Sequence, residues 1–232
     1  MPYGSSSKKS NAIMKNKQLG EQLRRPSGEA GKKVGMQMNI SNELLNLWTI
    51  EQLNILDNQQ VLEIGMGNGY FCNHVLTRAA GLKYYGCDLS EVMVEEAIRL
   101  NQANVDNSSA SFYLAGADKL PFPDSTFDIV FSVNTIYFWE QPSQELSEIK
   151  RVLKRNGELT IAIRTKDSLT HHPFAQYGYR QYNADELNAL LEENGFTSVF
   201  SLTREEPEKV FDGVNVKVKD LIMTFRPSQK TV

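Results

Sequence analysis

Three short runs of this chain hold residue types at spacings that chemistry can use. The first is Val61-Leu62-Glu63-Ile64-Gly65-Met66-Gly67-Asn68-Gly69, an apolar strand running straight into a glycine-rich turn and then a helix. Glycines at such a turn let the backbone bend sharply and approach a ligand with no Cβ in the way. The helix that follows points free N–H groups at whatever lies in front. In open α/β sheets, ligands sit outside the carboxyl ends of the strands. A dinucleotide fingerprint has the form GxGxxG. Here the glycines are Gly65, Gly67 and Gly69, so the third comes one residue early, and Glu63 stands outside that pattern. A tight turn that holds no ligand is the plain structural alternative.

The second is Asp88, which closes the next strand about 20 residues beyond the turn. A carboxylate there can accept both ribose hydroxyls of an adenosine. A charge complementing a helix N-terminus would also suit a lone Asp, and the ribose reading serves any nucleotide. The third is Gly116-Ala117-Asp118-Lys119-Leu120-Pro121-Phe122-Pro123-Asp124-Ser125-Thr126-Phe127-Asp128, just before another strand.

With these three runs in order, the sequence from about Val61 to Arg164 resembles the class I S-adenosylmethionine-dependent methyltransferases. It resembles in particular the broad group related to ubiquinone and menaquinone C-methyltransferases. That group shows an E-x-G-x-G-x-G turn, an acidic residue after strand two and an A-D-x-x-x-L-P-F-x-D-x-x-F-D run before strand four. The resemblance implies S-adenosylmethionine as cofactor, with S-adenosylhomocysteine as product. It implies that Glu63 and the turn Gly65-Met66-Gly67 face the methionine part, and that Asp88 holds the ribose. Leu89 and Met93 would pack near the adenine, with Asp118 accepting from its amino group and Ala117 beside it. Asn134, ending strand four, would lie under the methionine and face the reaction centre.

Tyr137, Phe138 and Trp139 follow strand four, where the resembling enzymes place residues near the transferring methyl. An aromatic face near a sulfonium is electrostatically favourable. Tyr137 is the candidate for orienting the acceptor, whereas Phe138 reads as core or lid packing. Many relatives carry His in this stretch and this chain does not, which weakens any His-based acid/base role. His171 and His172 read as solvated loop residues and His74 as structural; no set of ligands is spaced for a metal, and none is expected.

The elements that must position these residues are legible in the periodicity. Strands are expected at Val61–Ile64, Lys83–Cys87, Phe112–Ala115, Phe127–Val133 and Leu159–Ile163. Helices are expected at Phe71–Ala79, at Glu91–Asn101 capped by Ser90, and from Pro142 through Leu146, Ile149 and Leu153 to a close at Gly157. Such alternation implies βαβ units and a parallel sheet. Asn183 and Glu186 open a further helix with a capping-box pattern, ending near Gly195. Strands Phe196–Leu202 and Lys217–Phe225 follow, with Arg204–Asn215 between them suited to a hairpin. The resemblance makes the whole an α/β, Rossmann-like, doubly wound and mostly parallel seven-stranded sheet with a C-terminal antiparallel strand pair and an N-terminal helical lid.

Residues 1–20 read as a flexible tail, 21–57 as the lid, and 58–232 as the cofactor-binding domain. Gln22 to Gly35 reads as ordered loop or frayed helix. Ser41 is the expected N-cap of a helix carrying Leu44, Leu45, Leu47, Trp48 and Leu53. Gly35-Met36-Gln37-Met38-Asn39-Ile40 suits a lid, flexible at Gly35 and adaptable at Met36 and Met38. Such a cover suggests a small-molecule acceptor, partly apolar.

The 232 residues suit one large domain. Hydrophobic residues make up 41% and charged residues 23%, with a net charge of -3 and a pI near 5.7, so nucleic acid is not an expected partner. Cys72 and Cys87 are too far apart for a CxxC motif and read as reduced and buried. No apolar run reaches the roughly 18 residues of a membrane span and no signal-peptide core opens the chain, so the cytoplasm is the expected location. Two alternatives stand beside the methyltransferase: a protein that binds S-adenosylmethionine without catalysis, and a nicotinamide-dependent oxidoreductase.

Overall fold

The computed structural model describes residues 16–169, 180–211 and 214–228. Seven strands form one sheet in the order β3-β2-β1-β4-β5-β9-β6. They are β1 (Gln60–Ile64), β2 (Lys83–Asp88), β3 (Ala110–Leu114), β4 (Phe127–Val133), β5 (Leu153–Arg164), β6 (Phe196–Glu205) and β9 (Lys219–Pro227). The first five pair in parallel, while β9 runs antiparallel to both β5 and β6. A separate ribbon of β7 (Lys209–Phe211) and β8 (Val214–Val216) occupies the stretch read as a hairpin. Strand order reverses between β1 and β4, which is the switch point where open sheets form their crevice.

Each strand divides its side chains between two cores, as the two-residue period of a strand requires. Leu62 and Ile64 of β1 join Val130, Leu159 and Phe225 on one face. Val61 joins Tyr84, Ile129 and Phe131 on the other. Covering the first face is α7 (Pro142–Val152), which buries Leu146, Ile149 and Val152 at successive turns. Proline opens it at no cost, because first-turn N–H groups have no partner in the helix.

Gly157 does not close α7. The chain passes from Val152 directly into β5, and Gly157 lies within that strand. A Cβ there would stand 3.0 Å from the carbonyl oxygens of Phe127 and Asp128, so the glycine permits close approach of β5 to β4. Ser90 does cap α5 (Glu91–Leu100), accepting from Met93 N. Asn183 and Glu186 complete the expected capping box at α9 (Ala184–Glu193). The helix expected over Phe71–Ala79 is shorter, α4 (Cys72–Leu76). Cys72 and Cys87 are free and buried.

The N-terminal segment is more regular than its sequence suggests. Residues 16–24 are helical (α1), so the helix begins inside the stretch read as a tail; residues 1–15 of that tail lie outside the described residues. Next come α2 (Gly28–Ser41) and α3 (Glu43–Gln52). Ser41 ends α2, and Asn42 sits at the start of α3, so Ser41 is not the N-cap expected of it. Nor is Gly35 a hinge. It is buried in mid-helix, and a Cβ on it would stand 2.8 Å from the Met93 sulfur. The missing side chain lets α2 settle on α5, so the packing gained outweighs the helix-breaking tendency of glycine. Among the described residues no helix is long and apolar enough to cross a membrane.

Candidate active site

Four strands end around one crevice. After β1 the chain turns at Gly65 and Gly67, with φ of +74° and +58°, a region that only glycine enters freely. The two differ in surroundings. A Cβ on Gly65 would stand 2.3 Å from Thr135 Oγ1, whereas one on Gly67 would meet nothing within 4 Å. Gly65 is therefore required by the fold, and Gly67 leaves a space.

Asp88 ends β2 and faces that turn. Its carboxylate accepts from Gly67 N at 3.0 Å and from Ser90 N at 2.8 Å. Burial nevertheless dominates, pushing its pKa up to about 6. At the end of β4, Asn134 adopts φ +55°, a sparsely populated conformation for a residue with a Cβ. Its Oδ1 accepts from Tyr137 OH at 2.9 Å and from Arg164 N at 3.1 Å, and its Nδ2 donates to Asn42 Oδ1 at 3.3 Å.

Two cavities meet here, sharing Gly65, Asp88, Thr135, Phe138 and Arg24. The larger, about 620 Å³, runs past Leu89, Ala117 and Asp118 toward Trp139 and Glu145. The smaller, about 140 Å³, lies between the N-terminal helices and the ends of β4 and β5. Met38, Leu23 and Leu169 give it apolar walls, and Asn42, Asn134 and Arg164 polar ones. Asp118 is exposed at the rim of the larger cavity.

Of the residues singled out in the sequence, Gly65, Gly67, Asp88, Leu89, Ala117, Asp118, Asn134 and Tyr137 all line one or both cavities. Three do not. The Glu63 side chain is buried on the opposite side of the turn, accepting from Tyr84 OH at 2.6 Å; desolvation pushes its pKa up to about 7. Met93 is buried beneath α2. Met66 packs its thioether against Gly86. Alternation along β1 and the pitch of α5 turn Glu63 and Met93 inward, which motif spacing alone does not reveal. Phe138, read as packing, lines both cavities. His74 is exposed on α4, and His171 and His172 lie outside the described residues.

Sequence reasoning missed the residues that fasten the N-terminal helices over the crevice. Arg164 donates to the Ser41 carbonyl and pairs with Glu206 at 3.1 Å. Arg24 pairs with Glu140. Ser90 Oγ donates to the Pro26 carbonyl at 2.5 Å. All are long-range contacts. The one local hint was Arg164 itself, a cation ending an otherwise apolar strand.

A methyltransferase-domain family model matches residues 62–161. The uncharacterized methyltransferase YdaC of Bacillus subtilis is 31% identical over 135 residues, covering 58% of this chain and 72% of that protein. O-methyltransferase resE of Aspergillus sclerotiorum is 26% identical over 166 residues, 68% of this chain but only 62% of its own length. The fold is shared with the Haloferax volcanii putative methyltransferase solved in complex with the Trm112 methyltransferase activator, at a TM-score of 0.71 and 18% identity over 84% of this chain and 94% of that one. With the glycine turn, Asp88 and the Ala117-Asp118 run gathered on one crevice, the chain belongs to the class I S-adenosylmethionine-dependent methyltransferases.

Proposed function

We propose that this enzyme methylates a small, partly apolar acceptor held in the smaller cavity, by in-line displacement. The observation that carries the reading is the open space over Gly67 beside the Asp88 carboxylate, where the two cavities join. In this reading Asp88 accepts the ribose hydroxyls, Leu89 and Ala117 flank the adenine, and Asp118 accepts from its amino group. The backbone of Gly65, Met66 and Gly67 approaches the methionine part. Asn134 orients that end from below. Glu63 and Met93 act from beneath, supporting the turn and α5 without touching the cofactor.

S-adenosylmethionine supplies a methyl group on a positively charged sulfur, so the reaction chemistry is largely the cofactor's. The protein's part is alignment and exclusion of water. Proximity and orientation alone can supply roughly 7–11 kcal/mol of the barrier. Tyr137 is a positioning residue: its hydroxyl has a single proton, shared between Asn134 Oδ1 and the Arg164 carbonyl at 2.8 Å, and its ring walls the acceptor side. The segment 21–57 is the lid, and 58–232 the cofactor domain.

Calorimetry with S-adenosylmethionine, S-adenosylhomocysteine and NAD tests the cofactor half. Binding of both sulfur compounds and not NAD is expected; NAD binding alone would overturn it. Hydrogen exchange tests the lid. Residues 28–41 should exchange slowly, and more slowly with cofactor; random-coil exchange in both states would make the segment a tail.

A further inference from the structure

The helix that roofs the smaller cavity has a second face, and that face is bare. Met38 of α2 lines the cavity. Met36 and Ile40 point away from it and are 56% and 70% exposed, and Leu44 on α3 continues the line at 37%. Large side chains this exposed, spaced by four residues on consecutive helices, form an apolar stripe rather than scattered single residues. Lys33 precedes the stripe on the same face of α2, since positions 33, 36 and 40 fall within about 60° of one another around a helix. It is exposed.

Charge is distributed unevenly along the chain. Residues 1–41 contain eight Lys and Arg against two Glu, leaving 17 Lys and Arg against 26 Asp and Glu in the remainder. Within the described part of that basic stretch, Glu29 pairs with Lys32 and Arg24 with Glu140. Lys17, Arg25 and Lys33 are exposed and make no ion pair among the described residues. Glu43, and beyond it Glu29 and Glu51, are the acidic residues nearest the stripe in sequence. An acidic protein with a basic segment that ends in an exposed apolar stripe carries both attractions that hold a helix at a charged membrane surface: Coulombic attraction to anionic headgroups and burial of apolar side chains at the acyl boundary.

We propose that the outer face of α2, together with the start of α3, docks on an anionic lipid bilayer. Because the opposite face of α2 roofs the smaller cavity, docking would hold that cavity against the membrane surface. The docking itself does not depend on the methyl-transfer reading, because it is measured without cofactor or turnover.

The full chain is sedimented with vesicles of phosphatidylcholine alone and of phosphatidylcholine mixed with phosphatidylglycerol. Sedimentation with the mixed vesicles only is expected, weakening as salt is raised. Lys33→Ala should lower partitioning about fivefold, and Met36→Glu/Ile40→Glu by at least about tenfold. These side chains are exposed, so melting temperature and S-adenosylhomocysteine affinity should stay at the wild-type values, which separates lost docking from lost folding. Equal sedimentation with both vesicle types, none with either, or anionic binding untouched by the double variant would overturn the proposal. So would a concentration-dependent dimer that the double variant dissolves, which would make a second copy the occupant.

Discussion

Asn134 and Asn42 are joined across the crevice, the amide of one donating to the amide oxygen of the other at 3.3 Å. This single contact ties the left-handed residue ending β4 to the start of α3. Through Asn134 it also reaches Tyr137 and Arg164. The N-terminal helices, Tyr137 and the end of β5 therefore share one polar network, and such networks transmit loss at one member to the others.

Tyr137→Phe removes the hydroxyl at the centre of this network and leaves the ring. Turnover with any acceptor found should fall severalfold and S-adenosylhomocysteine affinity by less, because the hydroxyl reaches the cofactor only through Asn134. Steady-state kinetics paired with calorimetry would measure both. An equal loss in the two would mean that Tyr137 supports the cofactor itself.

Asp88→Asn should weaken cofactor binding at neutral pH by tenfold or more, since a bond to a charged acceptor is worth about 1.5–3 kcal/mol. In the wild type, affinity should also drop as pH falls through about 6, where Asp88 takes up a proton and becomes a poorer acceptor. The Asn variant should be flat across that range. A wild-type profile as flat as the variant's would deny Asp88 the ribose role.

Gly65→Ala and Gly67→Ala should fail in different ways. Both force a Cβ into the left-handed region, at roughly 1–2 kcal/mol. Gly65→Ala adds a collision with Thr135 and should lower the melting temperature markedly. Gly67→Ala meets no protein atom, so its larger effect should be on cofactor affinity. Unfolding curves and calorimetry on the pair would show it; matching stability losses with unchanged binding would remove the ligand from the Gly67 side.

Asp118→Asn should weaken the adenosyl cofactor, because an amide can turn a donor toward the adenine amino group. The wild type should also prefer adenosyl over inosyl S-adenosylhomocysteine. Competitive binding of the two compounds measures this directly, and equal affinities would place Asp118 outside the base-recognition site.

Glu63 gives a pH dependence of opposite sign from the same cause, burial. Its pKa is about 7 when folded, against 4.5 ordinarily. Between these values the folded chain holds a proton that the unfolded chain has released, so stability falls as pH rises from about 4.5 to 7 and stays lower above that. Glu63→Gln keeps an oxygen for the Tyr84 hydroxyl and should stabilise the fold at about pH 8 by on the order of 2–3 kcal/mol. Near pH 4 it should gain almost nothing. Denaturant unfolding at the two pH values decides it; the same change at both would mean that Glu63 carries no ionisation cost.

The sequence by itself determined the alternation of strands and helices, the glycine turn, the carboxylate after β2 and the Ala117-Asp118 run, because each depends on neighbours a few residues away. Period, capping and backbone permissiveness are local properties, and Ser90, Asn183 and Pro142 do in the structure what their types imply. Tertiary structure decided which side chains of those motifs reach the crevice. Glu63 and Met93 belong to the right segments yet face inward, since orientation follows from the sheet face and helix turn on which a residue falls. It also decided how the N-terminal helices pack. Gly35 reads as a hinge until Met93 is seen packed against it, and Arg164, Asn42 and Arg24 acquire meaning only through partners 40 to 120 or so residues away. Burial against a distant element repays an unfavourable local choice, and no local pattern records which element that is.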